Sequence, residues 1–291
     1  MSTPSQNLPP SEPVTTPGRF LGPSSETRHA LEDLDKLQSV AVVGPAGIGK
    51  TALLFHVADP QVRMQYRLAE KHVFVYLNCH ILSECDRREC CLYFMNETIR
   101  QMEGLERVER AIQESRDQAI KSIQELPFQG LQALFTAMRH RGVSLVLMLD
   151  NYESLARNPR VEDDFFSGLR SLGDTPVVAY LVASRQRLID LERIKVGSPF
   201  WNIFQTIRLG LLSPEESRAL IITRLGRANA EVPESAIKCI LELSAHDRYR
   251  LHKVVSIALQ VWRAHGGCLP EHYCDEITRR FEQDGNHTAQ S

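Results

Sequence analysis

Short apolar runs recur along the first two thirds of the chain: SVAVV at 39–43, VFVYL at 73–77, SLVLML at 144–149 and VVAYLV at 177–182. Each is β-branched or leucine-rich and lacks polar alternation, the pattern of a strand buried on both faces. TIRL at 206–209 reads as a short fifth strand. Between them the period changes to that of a helix. Leu131, Leu134, Phe135 and Met138 share one helical face before the third run, and Leu105, Val108, Ile112, Ala119 and Ile123 mark a long charged helix upstream of it. Strands alternating with helices imply a parallel sheet covered on both sides.

After Leu209 only helical periodicity remains. Ser213-Pro214-Glu215-Glu216 has the form of a capping box, with Ser213 as N-cap, and Gly226 stands where a helix ends. Amphipathic stretches follow around Ala236, Ile237, Ile240 and Leu241, then Leu251, Val254, Val255, Ala258 and Trp262, then Ile277 and Phe281. Residues 1–19 carry five prolines and almost nothing to bury, so they read as a disordered lead-in. The chain therefore divides into a lead-in at 1–19, an α/β domain at 20–210, a helical lid domain at 211–283 and a flexible tail at 284–291.

Composition changes this picture little. Across 291 residues, 24% are charged and 43% hydrophobic, with a formal net charge of −2, so no global field draws the chain to nucleic acid or an anionic membrane. No apolar run approaches the ~20 residues that span a bilayer. The N-terminus lacks the apolar core of a secretion signal, and a cytoplasmic location with reduced thiols is expected. The seven cysteines are Cys79, Cys85, Cys90, Cys91, Cys239, Cys268 and Cys274. Their spacings, including the cluster around His80, do not fit the usual zinc pattern, and they read as small buried hydrophobes.

The chemistry lies at the end of the first run. Gly44-Pro45-Ala46-Gly47-Ile48-Gly49-Lys50-Thr51 matches G-x-x-x-x-G-K-[ST], after a buried strand and before the apolar helix opening Thr51-Ala52-Leu53. Glycines let backbone N–H groups turn inward around a phosphate, and the following helix adds its positive end. Lys50 is expected to reach the β- and γ-phosphates and Thr51 to ligate magnesium. Residues 44–52 thus form the expected nucleotide cradle.

The third strand ends in Asp150, a carboxylate at a strand tip that would hold magnesium opposite the phosphate loop. Asn151 follows and cannot accept a proton at neutral pH. Glu153 is then the nearest carboxylate to serve as base for an attacking water. At the end of the fourth strand, Ser184-Arg185 places a guanidinium suited to sensing a γ-phosphate. The expected site is therefore catalytic Lys50, Glu153 and Arg185, with magnesium on Thr51 and Asp150.

These segments, with FLGPSSETRHALEDL from Phe20 and SPFWNIFQTIRLGLLSPEESRALI from Ser198, resemble STAND-type, AAA-like P-loop ATPases close to archaeal ATPases and Orc1/Cdc6-like proteins. The resemblance spans residues 20 to 262. It implies a five-stranded parallel sheet in which the strand after Asp150 lies between the first and third strands, and a helical or winged-helix lid. It also implies ATP, ADP and magnesium as ligands; adenine over guanine rests on it alone. Three positions depart from the family pattern: Pro23 where an Arg is usual, Asn151 where an acid is usual, and Ala245-His246-Asp247 where the lid helix often opens with Gly-His-Pro. Three functions remain open. One is a slowly hydrolysing, nucleotide-dependent switch acting on a protein partner or through self-association. A second is a DNA-associated ATPase whose lid residues Arg248, Arg250, His252 and Lys253 face phosphates, a reading the near-neutral charge disfavours. The third is a nucleotide-binding scaffold without turnover.

Overall fold

In the computed structural model the apolar runs become strands that pair in parallel: β1 (Ser39–Val43), β2 (His72–Asn78), β3 (Ser144–Asp150), β4 (Val178–Ser184) and β5 (Phe204–Arg208). The structure describes residues 24–66, 72–102, 127–140, 142–191, 199–226, 233–266, 270 and 272–288. Among them the sheet has five strands in the order β2-β3-β4-β1-β5. β4 thus lies between the strand before the phosphate loop and the strand that ends in Asp150, as the resemblance implies. β3 and β4 are buried along nearly their whole length, whereas β5 on the edge is largely exposed, which is why the central runs carry no polar alternation. β5 begins earlier than its sequence pattern indicates, because Phe204 and Gln205 pair with Ser39 and Val40.

Helices cover the sheet. α1 (Ser24–Asp35) buries Ala30, Leu31 and Leu34, and α2 (Lys50–Ala58) buries Leu53, Leu54 and Val57. α3 (Pro60–Gln65) and α4 (Arg87–Met102) follow, and α5 (Pro127–Arg139) turns Leu131, Leu134, Phe135 and Met138 inward as their spacing predicts. α6 (Tyr152–Ala156), α7 (Asp163–Gly173) and α8 (Leu188–Leu191) complete this part. The long helix expected over 105–123 and the lead-in at 1–19 lie outside the described residues.

The chain forms two compact units, one containing Ser24–Pro45 and Lys50–Arg208, the other Ala46–Gly49 and the chain from Leu209 onward. The second unit carries α9 (Pro214–Gly226), α10 (Glu234–Ser244), α11 (Arg248–Ala264) and α12 (Tyr273–Thr288), with no strand among its described residues. Of the two lid forms implied by the resemblance, the described residues form the helical one. α12 carries helical backbone through Thr288, past residue 283 where the sequence pattern ends the domain. The capping box is formed as read: Ser213 N donates to Glu216 Oε2 at 2.9 Å and Glu216 N to Ser213 Oγ at 3.1 Å. Leu220, Ile221, Ile240, Leu251, Val254, Val255, Val261 and Ile277 make a separate core. No helix of the described residues is long and apolar enough to cross a membrane.

One expectation is corrected here. Cys239 and Cys274 are joined in a disulfide between α10 and α12 rather than standing as free thiols. Packing the two helices together brings their Cα atoms to 6.2 Å, within bridging range. Cys79, Cys90 and Cys91 are buried free thiols, as read.

Burial of His252 on α11, reinforced by the charges of Arg224 and Arg248, lowers its pKa from 6.5 to about 4. Its neutral form therefore contributes stability above the unfolded value, and that contribution is lost as pH falls from about 6.5 through 4. Equilibrium urea denaturation followed from pH 7 to pH 4 is expected to show wild-type stability falling by up to about 1 kcal/mol per pH unit more steeply than that of His252→Gln.

Candidate functional site

The phosphate loop begins where β1 ends. Gly44 N donates to Ser184 O at 3.2 Å, tying the loop's base to β4. Gly47 and Gly49 take φ values of 76° and 102°, in the left-handed region that favours glycine. α2 then starts at Lys50, so its unpaired N–H groups open toward the loop. The Lys50 side chain folds back, Nζ donating to Gly44 O at 2.8 Å and Pro45 O at 2.7 Å. Burial pushes its pKa down, while Glu153 and Asp150 push it up.

Asp150 is 3% exposed at the tip of β3. Its carboxylate is held by donors from three parts of the chain: Thr51 Oγ1 at 2.8 Å and Tyr76 Oη at 3.0 Å both donate to Oδ2, and Asn151 N donates to Oδ1 at 3.0 Å. Burial raises the carboxyl pKa, and these three hydrogen bonds oppose the rise. A half-buried hydroxyl and a buried carboxylate at this distance are hard oxygen donors of the kind magnesium takes, beside a helix N-terminus suited to phosphate. The residues present therefore fit a magnesium–nucleotide group.

Glu153 sits in the first turn of α6 and pairs with the residue expected to sense phosphate. Arg185 Nε lies 3.1 Å from Glu153 Oε1, and Arg185 N donates to Oε2 at 3.3 Å. Lys50, Thr51, Asp150, Glu153 and Arg185, chosen from separate stretches of sequence, thus meet at the carboxyl end of the sheet. Asn151 adopts φ 55° and directs Nδ2 to Asn78 Oδ1 at 3.4 Å.

Tyr76 and Asn78 were missed by sequence reasoning. Tyr76 lies within an apolar run and reads as core, yet its hydroxyl faces Asp150. The available signal was register: β2 pairs with β3 so that Asn78 stands beside Asp150 and Tyr76 two residues earlier. Burial and the Asp150 charge push the Tyr76 pKa well up, so its hydroxyl is a donor.

In the helical unit, the four basic residues considered for nucleic acid do not share a solvent face. Arg248 is 3% exposed and its Nε donates to Gly210 O at 3.2 Å. His252 is kept neutral by burial, and Arg250 and Lys253 lie over the Phe281 ring at 5.5 and 5.6 Å. His246, between Ala245 and Asp247, has Nδ1 2.9 Å from Ser217 Oγ and accepts from Leu212 N through its carbonyl.

Residues 38–265 match the family described as Novel STAND NTPase 2. The chain belongs to this family. The STAND NTPase also shares its fold with solved structures of low sequence identity. The Walker-type ATPase PABY2304 of Pyrococcus abyssi is 12% identical with a TM-score of 0.66, covering 95% of this chain and 76% of that one. The Aeropyrum pernix ORC2 protein, in its ADPNP–ADP complexes, is 14% identical with a TM-score of 0.67, covering 92% and 70%. Domain III of the Thermotoga maritima replication initiation protein DnaA is 15% identical with a TM-score of 0.54, covering 90% and 95%. No curated protein matches the chain in sequence.

In this STAND NTPase, Asn158 fixes the segment carrying Glu153 against the loop after β2. It is 2% exposed, and its Nδ2 donates to Leu82 O at 2.6 Å and Cys85 O at 2.7 Å. Asn158→Ala leaves both carbonyls without that donor. It is expected to lower stability in urea denaturation by about 2 kcal/mol or more at unchanged m-value.

Proposed function

We propose that this STAND NTPase binds ATP with magnesium at residues 44–52 and Asp150, hydrolyses it slowly, and acts as a nucleotide-dependent switch. The observation that carries the reading is the 2.8 Å hydrogen bond between Thr51 and Asp150, residues 99 apart in sequence. It joins the phosphate loop to a buried carboxylate at the point where a phosphate-bound cation needs oxygen ligands. Lys50, resting on its own loop carbonyls, exchanges them for the β- and γ-phosphates. Thr51 and Asp150 hold magnesium, which when bound neutralises charge on the phosphates.

The Glu153–Arg185 ion pair supplies the switch. Without a γ-phosphate, Arg185 is held by Glu153. With one, the guanidinium has a more highly charged partner and Glu153 is released to orient water and accept its proton. Turnover is slow because Asn151 offers no carboxylate and Glu153 must first leave an ion pair. A protein partner or a second copy of the chain reads the two states. The inward-facing Arg248 and neutral His252 weigh against a DNA-associated role. Asn151 favours, as the second reading, a nucleotide-binding scaffold without turnover.

Single-turnover ATP hydrolysis in magnesium, beside a Lys50→Ala control, separates these readings. Slow turnover that disappears in the control, and that falls about 100-fold or more in Glu153→Gln as for a lost general base, supports the switch. ATP retained by wild type and lost in the control, with no turnover, gives the scaffold. Retention equal in both proteins defeats nucleotide binding at this loop.

A further inference from the structure

Among the described residues β2 is an edge strand, with no neighbouring strand on one side of its backbone. At Tyr76 a side chain takes the neighbour's place. Tyr76 N donates to Gln101 Oε1 at 2.7 Å, and Gln101 Nε2 donates to Tyr76 O at 2.8 Å. The amide thus closes the same two-bond ring that a strand would. Gln101 is itself fixed from within α4: Nε2 also donates to Glu97 Oε2 at 3.0 Å, and Arg100 NH2 donates to that oxygen at 2.7 Å. The Tyr76 ring meets Phe55 of α2 with centroids 4.7 Å apart. Its backbone and ring are therefore both restrained, and its hydroxyl ends on Asp150 Oδ2, the oxygen that Thr51 also reaches.

We propose that Tyr76 is a positioning residue for the Asp150 carboxylate in magnesium–nucleotide binding, and that Gln101 holds Tyr76 in register for that task. This rests on the ATP–magnesium reading above. Thr51 and Asn151 adjoin the groups they orient, so their hydrogen bonds shift with the phosphate loop and the strand tip. Tyr76 is the donor anchored elsewhere, through α4. With Thr51 and Tyr76 on Oδ2 and Asn151 N on Oδ1 the carboxylate plane is fixed; without Tyr76 the remaining donors are the two that move with the phosphate loop and the strand tip. Removing a group that orients a metal-binding carboxylate in this way typically costs about 10- to 100-fold in metal affinity or activity.

The test is the binding of a fluorescent N-methylanthraniloyl ADP, titrated with magnesium and separately measured in EDTA. Tyr76→Phe keeps the ring against Phe55 and removes only the hydroxyl. Its magnesium midpoint is expected to rise about 10-fold or more while affinity in EDTA stays at the wild-type value. Gln101→Ala is expected to move the magnesium midpoint in the same direction. An unchanged midpoint in Tyr76→Phe overturns the proposal. So does an equal loss of affinity with and without magnesium, which marks a structural role. Nucleotide binding absent from the wild type overturns the ATP reading and this proposal together, whereas normal wild-type binding beside an unaffected Tyr76→Phe overturns this proposal alone.

Discussion

A carboxylate buried at the end of a strand is the constraint around which the α/β unit is arranged. Asp150 is almost fully removed from water, and an ionised carboxylate in that position costs several kcal/mol unless donors replace its hydration. Three donors do so, and none comes from the body of β3 itself: one is on α2, one on β2, and one is the first backbone N–H beyond the strand. Satisfying Asp150 therefore requires the sheet order that is observed. β2 must flank β3 for Tyr76 to reach, and β1 must lie on the other side, one strand away, for the helix after the phosphate loop to present Thr51.

The two carboxylates at the sheet's carboxyl end differ in the property that the proposed switch needs. The Asp150 carboxylate is buried and multiply bonded, so its geometry is costly to disturb. Glu153 and Arg185 are different: the carboxylate is 12% exposed but the guanidinium 62%. An ion pair with so exposed a partner contributes little stability and is readily exchanged for a stronger anion. In the proposed switch one carboxylate thus stays fixed while the other changes partners, a division set by burial.

Much of this was legible in the sequence because it is written in local patterns. The strands announce themselves as uninterrupted apolar runs, the phosphate loop as glycine spacing, and the capping box at Ser213 as a four-residue motif. Lys50, Thr51, Asp150, Glu153 and Arg185 all lie at the ends of such runs, and strand direction alone gathers them at one edge. What escaped was contact between side chains remote in sequence. Gln101 reaches Tyr76 across 25 residues, and Cys239 reaches Cys274 across 35. Neither pairing leaves a periodic trace. Arg248 was ambiguous for the opposite reason: its helix looks basic, yet it caps the carbonyl of Gly210 from inside the helical unit.

Asn151 is better understood from its backbone than from its missing charge. The residue must turn sharply for its N–H to face Asp150 Oδ1 and for α6 to begin at Tyr152, and it does so at φ 55°. Asn adopts that left-handed conformation far more easily than Glu, whose longer side chain gains nothing locally in return. The polar side chain is then spent on Asn78 at the neighbouring strand tip. In the proposed hydrolysis the carboxylate for proton transfer comes from the next position that returns to the same edge, and the first turn of α6 brings Glu153 there. The same turn that favours Asn over Glu beside Asp150 is followed two residues later by an acid, already paired with the arginine from β4's end.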